Sequence, residues 1–112
     1  MSARYVVLPR ADRDLDDQAD YFTAESGIEM GLRFLAAAHE TFLLLAGQQQ
    51  MGWKCQHQNP TLVAARVFRV AGFEKILIFY RPGRDCIEII RVLHGAQDLE
   101  MLFERDDPSK SP

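Results

Sequence analysis

The sequence predicts an α+β domain in which an antiparallel helical hairpin packs on one face of an antiparallel sheet, in the order β-α-α-β-β-β. Three observations predict it: a β-branched run near the N-terminus, two consecutive segments with helical spacing of apolar residues, and three closely spaced β-rich runs. The 112 residues suffice for one domain, which we place at 1–105, and the remaining residues 106–112 are expected to form a disordered tail.

The first strand is predicted at Arg4 to Leu8, where the β-branched run RYVVL is closed by Pro9. It is expected to join the sheet, because a lone strand leaves its backbone groups unpaired. A helix follows from Pro9, since proline and acidic residues such as Asp12 suit the first helical turn. The helix is predicted to end at Gly27, as a left-handed cap.

A second helix follows directly, so the two helices form an antiparallel hairpin. Its apolar residues recur at steps of three and four, which predicts a stripe facing a partner layer. The stripe consists of Ile28, Leu32, Leu35, His39, Phe42 and Ala46. The run Ala36 to Ala38 is expected to let the two helices approach closely.

A polar segment from Gly47 to Pro60 is predicted to be a long loop. Three strands then follow at Leu62–Val70, Phe73–Arg81 and Cys86–His94, joined by short turns into an antiparallel meander. Gln97–Phe103 is predicted to form a short C-terminal helix of one or two turns.

Alternation along the three strands makes both faces of the sheet largely apolar. We therefore expect the helices to cover one face and a partner or the tail to cover the other, which is a first indication of a binding protein. Arg66 and Arg69 have opposite parity, so they face opposite sides of the sheet unless a bulge intervenes.

The net charge of −3 is unevenly distributed along the chain. Residues 62–94 carry six Lys and Arg residues against three Asp and Glu residues, whereas the flanking segments 1–61 and 95–112 are each net acidic by three. The basic middle indicates a local surface for an anionic partner, and the alternative is that its arginines are simply solvated on strand edges. The net negative charge argues against non-specific coating of nucleic acid.

Several classes of protein are disfavoured by the sequence. No apolar run approaches the ~20 residues of a membrane span, and the N-terminus does not resemble a signal peptide, so we expect a cytoplasmic protein without membrane contact. Cys55 and Cys86 are expected to be free thiols in a reducing compartment. Cys55 and His57 resemble half a metal site with no second ligand pair, so no metal or other cofactor is expected.

Three segments carry a resemblance to a known family: YVVLPRADRDLDDQADYF, ARVFRVAGFEKILIFYR and IEIIRVLHGAQD. They resemble, in this order, the ParE/RelE superfamily of bacterial toxins, which are the toxin halves of type II toxin–antitoxin pairs. The resemblance extends from about Tyr5 to Leu102, and its last motif is more similar to the ParE branch. It implies the same β-α-α-β-β-β fold that the patterning predicts.

The resemblance implies one of two activities. ParE-like members poison DNA gyrase without a recognised catalytic site, whereas RelE-like members are ribosome-dependent mRNA endoribonucleases. A toxin that binds its antitoxin but has lost its target is a third possibility. In each case the implied partner is a cognate antitoxin, acidic and folding on binding, which forms a hetero-oligomer with the toxin and provides its only, indirect, contact with DNA.

The nuclease set implied by the resemblance is incomplete. RNA cleavage needs a base, cations at the phosphate and an acid for the leaving oxygen. Cations and an acid are offered by Arg66, Arg81, Arg91 and His94. The loop offers only Lys54 and His57 as bases, and a C-terminal tyrosine is missing. The sequence therefore favours a gyrase inhibitor without catalytic residues over an enzyme.

We expect a set of six residues to contact the target or the antitoxin: Arg66, Arg69, Tyr80, Arg81, Arg91 and His94. The arginines are expected to pair with carboxylates of the antitoxin, or in cis with Glu88 and Asp98. His94 has three open interpretations: a structural hydrogen bond at the strand end, a partner contact, or a general acid.

Overall fold

The computed structural model describes residues 4–55 and 64–95 and confirms the α+β prediction. Its elements are β1 (Tyr5–Val7), α1 (Pro9–Ser26), α2 (Ile28–Gly47), β2 (Trp53–Lys54), β3 (Arg66–Val70), β4 (Phe73–Arg81) and β5 (Ile87–His94). The predicted C-terminal helix at 97–103 and the tail at 106–112 lie outside the described residues, as do His57 and Asp98.

The five strands form one sheet in the order β1-β5-β4-β3-β2. The predicted meander is confirmed, because β3 pairs antiparallel with β4 and β4 with β5. The first strand joins the sheet as expected, but it pairs with β5 in parallel, so the sheet is mixed rather than purely antiparallel. The connection from β1 to β5 is long, because it includes both helices and the strands β2 to β4. A long connection is what a parallel pair of strands requires.

The segment predicted to be loop from Gly47 to Pro60 contains a strand. Trp53 and Lys54 pair antiparallel with Val67 and Arg66, and the Cys55 N–H extends the ladder by donating to the Ala65 carbonyl at 2.9 Å. A strand of two residues is too short to produce an alternating pattern, so no periodic signal predicts it.

The helical hairpin turns at Gly27, whose φ of 96° is a conformation that glycine adopts at little cost. Its ψ of 165° lies outside the left-handed helical region, so the predicted cap has the positive φ but another conformation. The helices approach closely at Gly31, because an added Cβ there would lie against the Thr23 hydroxyl and 2.9 Å from the Ala19 carbonyl oxygen.

The buried face of α2 differs from the predicted stripe. Phe42 is buried as expected, but Ile28 and Leu32 are 62% and 59% exposed. The residues that face the core are Gly31, Phe34, Ala38, Thr41, Phe42 and Leu45. Apolar residues occupy more than one face of this helix, so their spacing alone does not identify the face that packs on the core. The predicted stripe is rotated around the helix axis away from the buried face.

Two apolar clusters lie on opposite faces of the sheet. The larger lies between sheet and helices and includes Phe34, Phe42, Tyr80, Ile87, Ile89 and Val92. The smaller consists of Ala65, Val67, Phe79, Ile90 and Leu93, and within the described ranges no helix residue belongs to it. The β4–β5 ladder has a register shift that leaves Ile90 as an extra residue on β5. As a result, Val92 lies on the helix side of the sheet and Leu93 on the other side, the reverse of what simple alternation predicts.

Candidate functional site

Tyr80 anchors the segment that follows α2. The phenol is fully buried, donates a hydrogen bond of 2.8 Å to the Gln49 carbonyl and accepts one of 3.0 Å from the Gly52 N–H. Gly52 has no room for a side chain, because a Cβ would lie 2.6 Å from the Tyr80 oxygen. Tyr80 was expected to contact a partner, and in the structure its hydroxyl makes these two internal hydrogen bonds.

The environment of Tyr80 also affects its ionisation. Burial raises the pKa of the Tyr80 phenol above its usual 10.0, and the hydrogen bond from Gly52 and the positive charge of Arg66 only partly oppose that rise. The phenol is consequently neutral at physiological pH, which suits a hydrogen-bonding anchor and not a proton acceptor.

Arg66 holds the same segment from the neighbouring strand. Its guanidinium donates to the Gly52 carbonyl and to the Gln50 side-chain oxygen. Arg66 lies directly opposite Tyr80 in the β3–β4 register, so the two side chains act on the same turn. Together they fix the position of β2, which begins one residue after Gly52.

Arg69 and Trp53 form an exposed pair on the other face. The Arg69 guanidinium carbon lies 5.2 Å from the centre of a Trp53 ring, which is cation–π distance. The pair follows from the register: Trp53 is opposite Val67, and Arg69 is the next residue on the same face of β3. Trp53 is 43% exposed. The register shift in the β3–β4 ladder comes after Arg69, so Arg66 and Arg69 stay on opposite faces as predicted.

Arg81 takes part in a surface ion pair. One guanidinium nitrogen lies 2.9 Å from a Glu88 carboxylate oxygen, and both side chains are more than 40% exposed. The two residues are opposite each other in the β4–β5 register, so the pairing is fixed by the sheet.

Arg91 pairs with a residue that the sequence analysis did not single out. Its Nε lies 2.8 Å from a carboxylate oxygen of Asp14 on α1, and that oxygen also accepts the Val92 N–H at 3.0 Å. β1 ends at Val7 and pairs only as far as Ile89, so this part of β5 is paired with β4 but has no strand on its other side. There Asp14 accepts the backbone N–H that a longer β1 would pair. The partner is thus Asp14 rather than Glu88.

His94 ends β5, opposite Ile76 of β4, and is half-buried. The next residue, Gly95, donates its N–H to the Lys75 carbonyl at 2.7 Å. Arg81 is at the other end of the same ladder, opposite Glu88. The structure therefore brings Arg66 and Tyr80 together, and it distributes Arg69, Arg81, Arg91 and His94 over separate parts of the sheet.

Sequence reasoning missed Asp14 and Trp53. Asp14 is one of several acidic residues in α1. It lies three residues after Ala11 and directly before Leu15, both of which are buried, so its helical position places it beside the buried face. Trp53 is the only tryptophan of the chain, and its position in an apparent loop hid its partnership with Arg69. The first could have been found from helical position; the second required the unpredicted β2.

A groove of about 390 Å³ lies at the β1 edge of the sheet, lined by Arg4, Tyr5, Val6, Leu43, Asp85 and Cys86. Val6 and Leu43 are about half exposed there. Above it, the Tyr5 hydroxyl is hydrogen-bonded to the His39 Nδ1 at 2.8 Å. Leu32 and Ile28, nearer the start of α2, are also exposed apolar residues.

Cys55 and Cys86 are free thiols, as predicted. Among residues 4–55 and 64–95, no group of His, Cys, Asp and Glu side chains has an arrangement suited to a metal ion. In the same part of the chain, neither helix is long and apolar enough to cross a membrane.

A family model described as the ParE toxin of the type II toxin–antitoxin system, parDE, matches residues 5–99. The chain belongs to the ParE toxin family. Among solved structures, a chromosomal ParDE TA system from P. aeruginosa is similar, with a TM-score of 0.63 and 19% identity over 81% of this chain and 94% of that one. At this identity the likeness shows the fold. No curated protein matches the sequence.

Membership in the ParE family agrees with the resemblance and with its ParE-like branch. The matched range begins at β1 and continues through β5, so it includes every strand and helix described here. The protein is a toxin of a type II toxin–antitoxin system by family.

Proposed function

We propose that this ParE-family toxin acts in the cytoplasm by inhibiting DNA gyrase and is neutralised by a cognate antitoxin. The observation that carries the proposal is the family match together with the internal engagement of the side chains that a nuclease would need. The toxin is then a binding module without a catalytic residue of its own.

The chemistry of RNA cleavage disfavours the alternative, a ribosome-dependent endoribonuclease. Cations that stabilise a phosphorane must face one point, but Arg91 is held by Asp14 on one side of the sheet and Arg66 by the turn at Gly52. A general base must be able to lose its proton near neutral pH, and burial favours the neutral form of the Tyr80 phenol. These contacts support a structural role for the arginines.

The antitoxin is proposed to cover the apolar surface of α2 and the groove at the β1 edge. Ile28, Leu32 and Leu43 are each more than half exposed, and a segment that folds on binding removes such residues from water. The net positive charge of strands β3 to β5 favours acidic residues in this antitoxin segment. The product is a toxin–antitoxin hetero-oligomer.

The proposal is tested by expressing the chain in bacteria with and without the protein encoded by the adjacent gene. Without that protein, we expect filamentation and DNA-damage signalling while protein synthesis continues through the first minutes. Co-expression should restore growth. Arrest of translation within that time, with mRNA cut on ribosomes, would contradict gyrase inhibition. The variants H94A and R91A would then decide whether either residue takes part in cleavage.

A further inference from the structure

The surface around β2 and β3 differs in charge from the rest of the molecule. From Thr41 to Phe73 the sequence contains no Asp or Glu, although it contains Lys54, Arg66 and Arg69. By contrast, α1 carries six acidic residues against two arginines. The only tryptophan of the chain lies within this acid-free region, and it is exposed.

Trp53 and Arg69, which we call the platform, are arranged as a flat binding surface. The Arg69 guanidinium carbon lies over the indole, 5.2 Å from the centre of the ring, and Trp53 remains 43% exposed to solvent. Within residues 4–55 and 64–95, no carboxylate forms an ion pair with Arg69. Its charge is therefore available to an anion that lies beside the indole.

A second exposed cation lies nearby along β4. Arg69 is opposite Leu77 in the β3–β4 register, and Lys75 lies two residues before Leu77, in the stretch where the register with β3 shifts. Both Arg69 and Lys75 are exposed. The platform is thus an aromatic ring accompanied by two cations on strands that the sheet holds in position.

The platform does not depend on a flexible loop. β2 pairs with β3, and the preceding turn is tied down by Tyr80 and Arg66 through Gly52. Trp53 directly follows Gly52, so its backbone position is fixed before any ligand arrives. Preorganisation of this kind lowers the entropy lost on binding.

We propose that the platform binds single-stranded nucleic acid, with an unpaired base stacked on Trp53 and the adjacent phosphates at Arg69 and Lys75. A flat aromatic ring with neighbouring cations is the arrangement with which proteins bind unpaired nucleotides. An acidic peptide would use the cations but would leave the indole without a stacking partner, so the observations favour a nucleotide. This inference goes beyond gyrase inhibition and does not depend on it.

The test uses the purified full-length chain and the fluorescence of Trp53, which reports on this position alone because the chain has no other tryptophan. We expect a short single-stranded DNA or RNA to quench the emission. The affinity should fall as salt rises, and R69Q should reduce the slope of log K against log salt by roughly 0.7, the contribution of one phosphate contact. The DNA and RNA arms identify which polymer is preferred.

A labelled oligonucleotide followed by anisotropy extends the test to variants without the indole. We expect W53A to weaken binding about tenfold, while W53F retains most of the stacking. Tyr21→Ala and Arg33→Gln are matched controls, because they remove an exposed aromatic ring and an exposed cation from the hairpin. Both should leave the affinity unchanged, and unfolding curves should confirm that all variants are folded.

Three results would overturn the proposal. The first is the absence of quenching by any single-stranded oligonucleotide. The second is equal quenching by the corresponding duplex, because its bases are not available for stacking. The third is equal quenching by a glutamate-rich peptide, which would assign the platform to an acidic protein segment. The titration contains neither gyrase nor antitoxin, so its failure would leave the proposed function untouched.

Discussion

At the scale of single residues, two ion pairs of this sheet differ in what surrounds them. The side chains of Asp14 and Arg91 are only 10% and 18% exposed, and Asp14 also accepts a backbone N–H. Arg81 and Glu88 are more than 40% exposed and lie in solvent. Removing one partner leaves an unpaired, largely buried charge only in the first pair, so the two pairs should differ in their contribution to stability.

We predict that Asp14→Ala lowers the free energy of unfolding by about 3 kcal/mol, because Arg91 and the Val92 N–H both lose their partner. Asp14→Asn should cost less, since an amide oxygen still accepts the N–H. Glu88→Ala is the matched control, with an expected loss of about 0–1 kcal/mol. Urea unfolding measures all three, and equal losses for Asp14→Ala and Glu88→Ala would contradict the assignment.

Tyr80 predicts a dependence of stability on alkaline pH. Its pKa is raised in the folded state by burial, so the unfolded chain loses the proton first as pH rises. The stabilisation is complete below the unfolded pKa of about 10 and is lost as pH rises from there through the higher folded value. We expect Tyr80→Phe to lose about 1–3 kcal/mol at neutral pH, because the Gly52 N–H becomes unpaired.

The measurement is the free energy of unfolding of the wild type and of Tyr80→Phe between neutral pH and the highest pH at which both fold. The difference between the two proteins should narrow as pH rises past 10. Tyr21→Phe changes an exposed tyrosine and serves as the control. A constant difference over the whole range would show that Tyr80 does not ionise with a raised pKa.

At the scale of elements, Gly31 determines how closely the two helices pack. An added Cβ would overlap the Thr23 hydroxyl and the Ala19 carbonyl region, although alanine is the better helix former by about 1 kcal/mol. We predict that Gly31→Ala nevertheless destabilises the protein by about 1–2 kcal/mol through overpacking. The double variant Thr23→Ala/Gly31→Ala should recover part of this loss, and thermal unfolding of the four proteins of the cycle gives the coupling. A stabilised Gly31→Ala would disprove close packing at this point.

The same helix shows where reasoning from the sequence stops. The existence of α1, α2 and the three later strands followed from spacing and turn residues, because each is long enough to repeat its pattern. The buried face of α2 did not, since apolar residues occupy both the core side and the exposed side. β2 has two residues and no pattern, and the β4–β5 register shift depends on tertiary packing that no local rule contains.

The candidate site was predictable to a similar extent. The arginines of the basic strands were found from charge, but their partners were not, because Asp14 and Arg91 are 77 residues apart in the chain. The two internal hydrogen bonds of the Tyr80 hydroxyl were not predicted, because they depend on the fold of the segment after α2. Long-range pairing of side chains requires the fold before it can be assigned.

At the scale of the whole molecule, the helical layer and the sheet carry net charges of opposite sign. The hairpin is net negative by five, and the segment from β3 to β5 is net positive by three. The exposed apolar residues of α2 therefore belong to the acidic layer, whereas the cations belong to the sheet. A partner segment that covers both α2 and the sheet must therefore present apolar residues to α2 and acidic residues to the cations of the sheet.

This arrangement predicts how antitoxin binding responds to substitution. Leu32→Glu and Leu43→Glu each place a charge on the exposed apolar surface, and we expect each to weaken capture of the co-expressed antitoxin about tenfold or more. Ala24→Glu, at an exposed position on α1, is the matched control. Binding is measured by titration of the purified partners. Unchanged affinity in both leucine variants would move the antitoxin interface away from α2.

The most direct test of the gyrase proposal is a supercoiling assay with toxin released from its antitoxin, in which supercoiled product and cleaved DNA are quantified together. We expect loss of supercoiling with accumulation of cleavage complexes, and reversal of both on addition of the antitoxin. Normal supercoiling at saturating, folded toxin would contradict it.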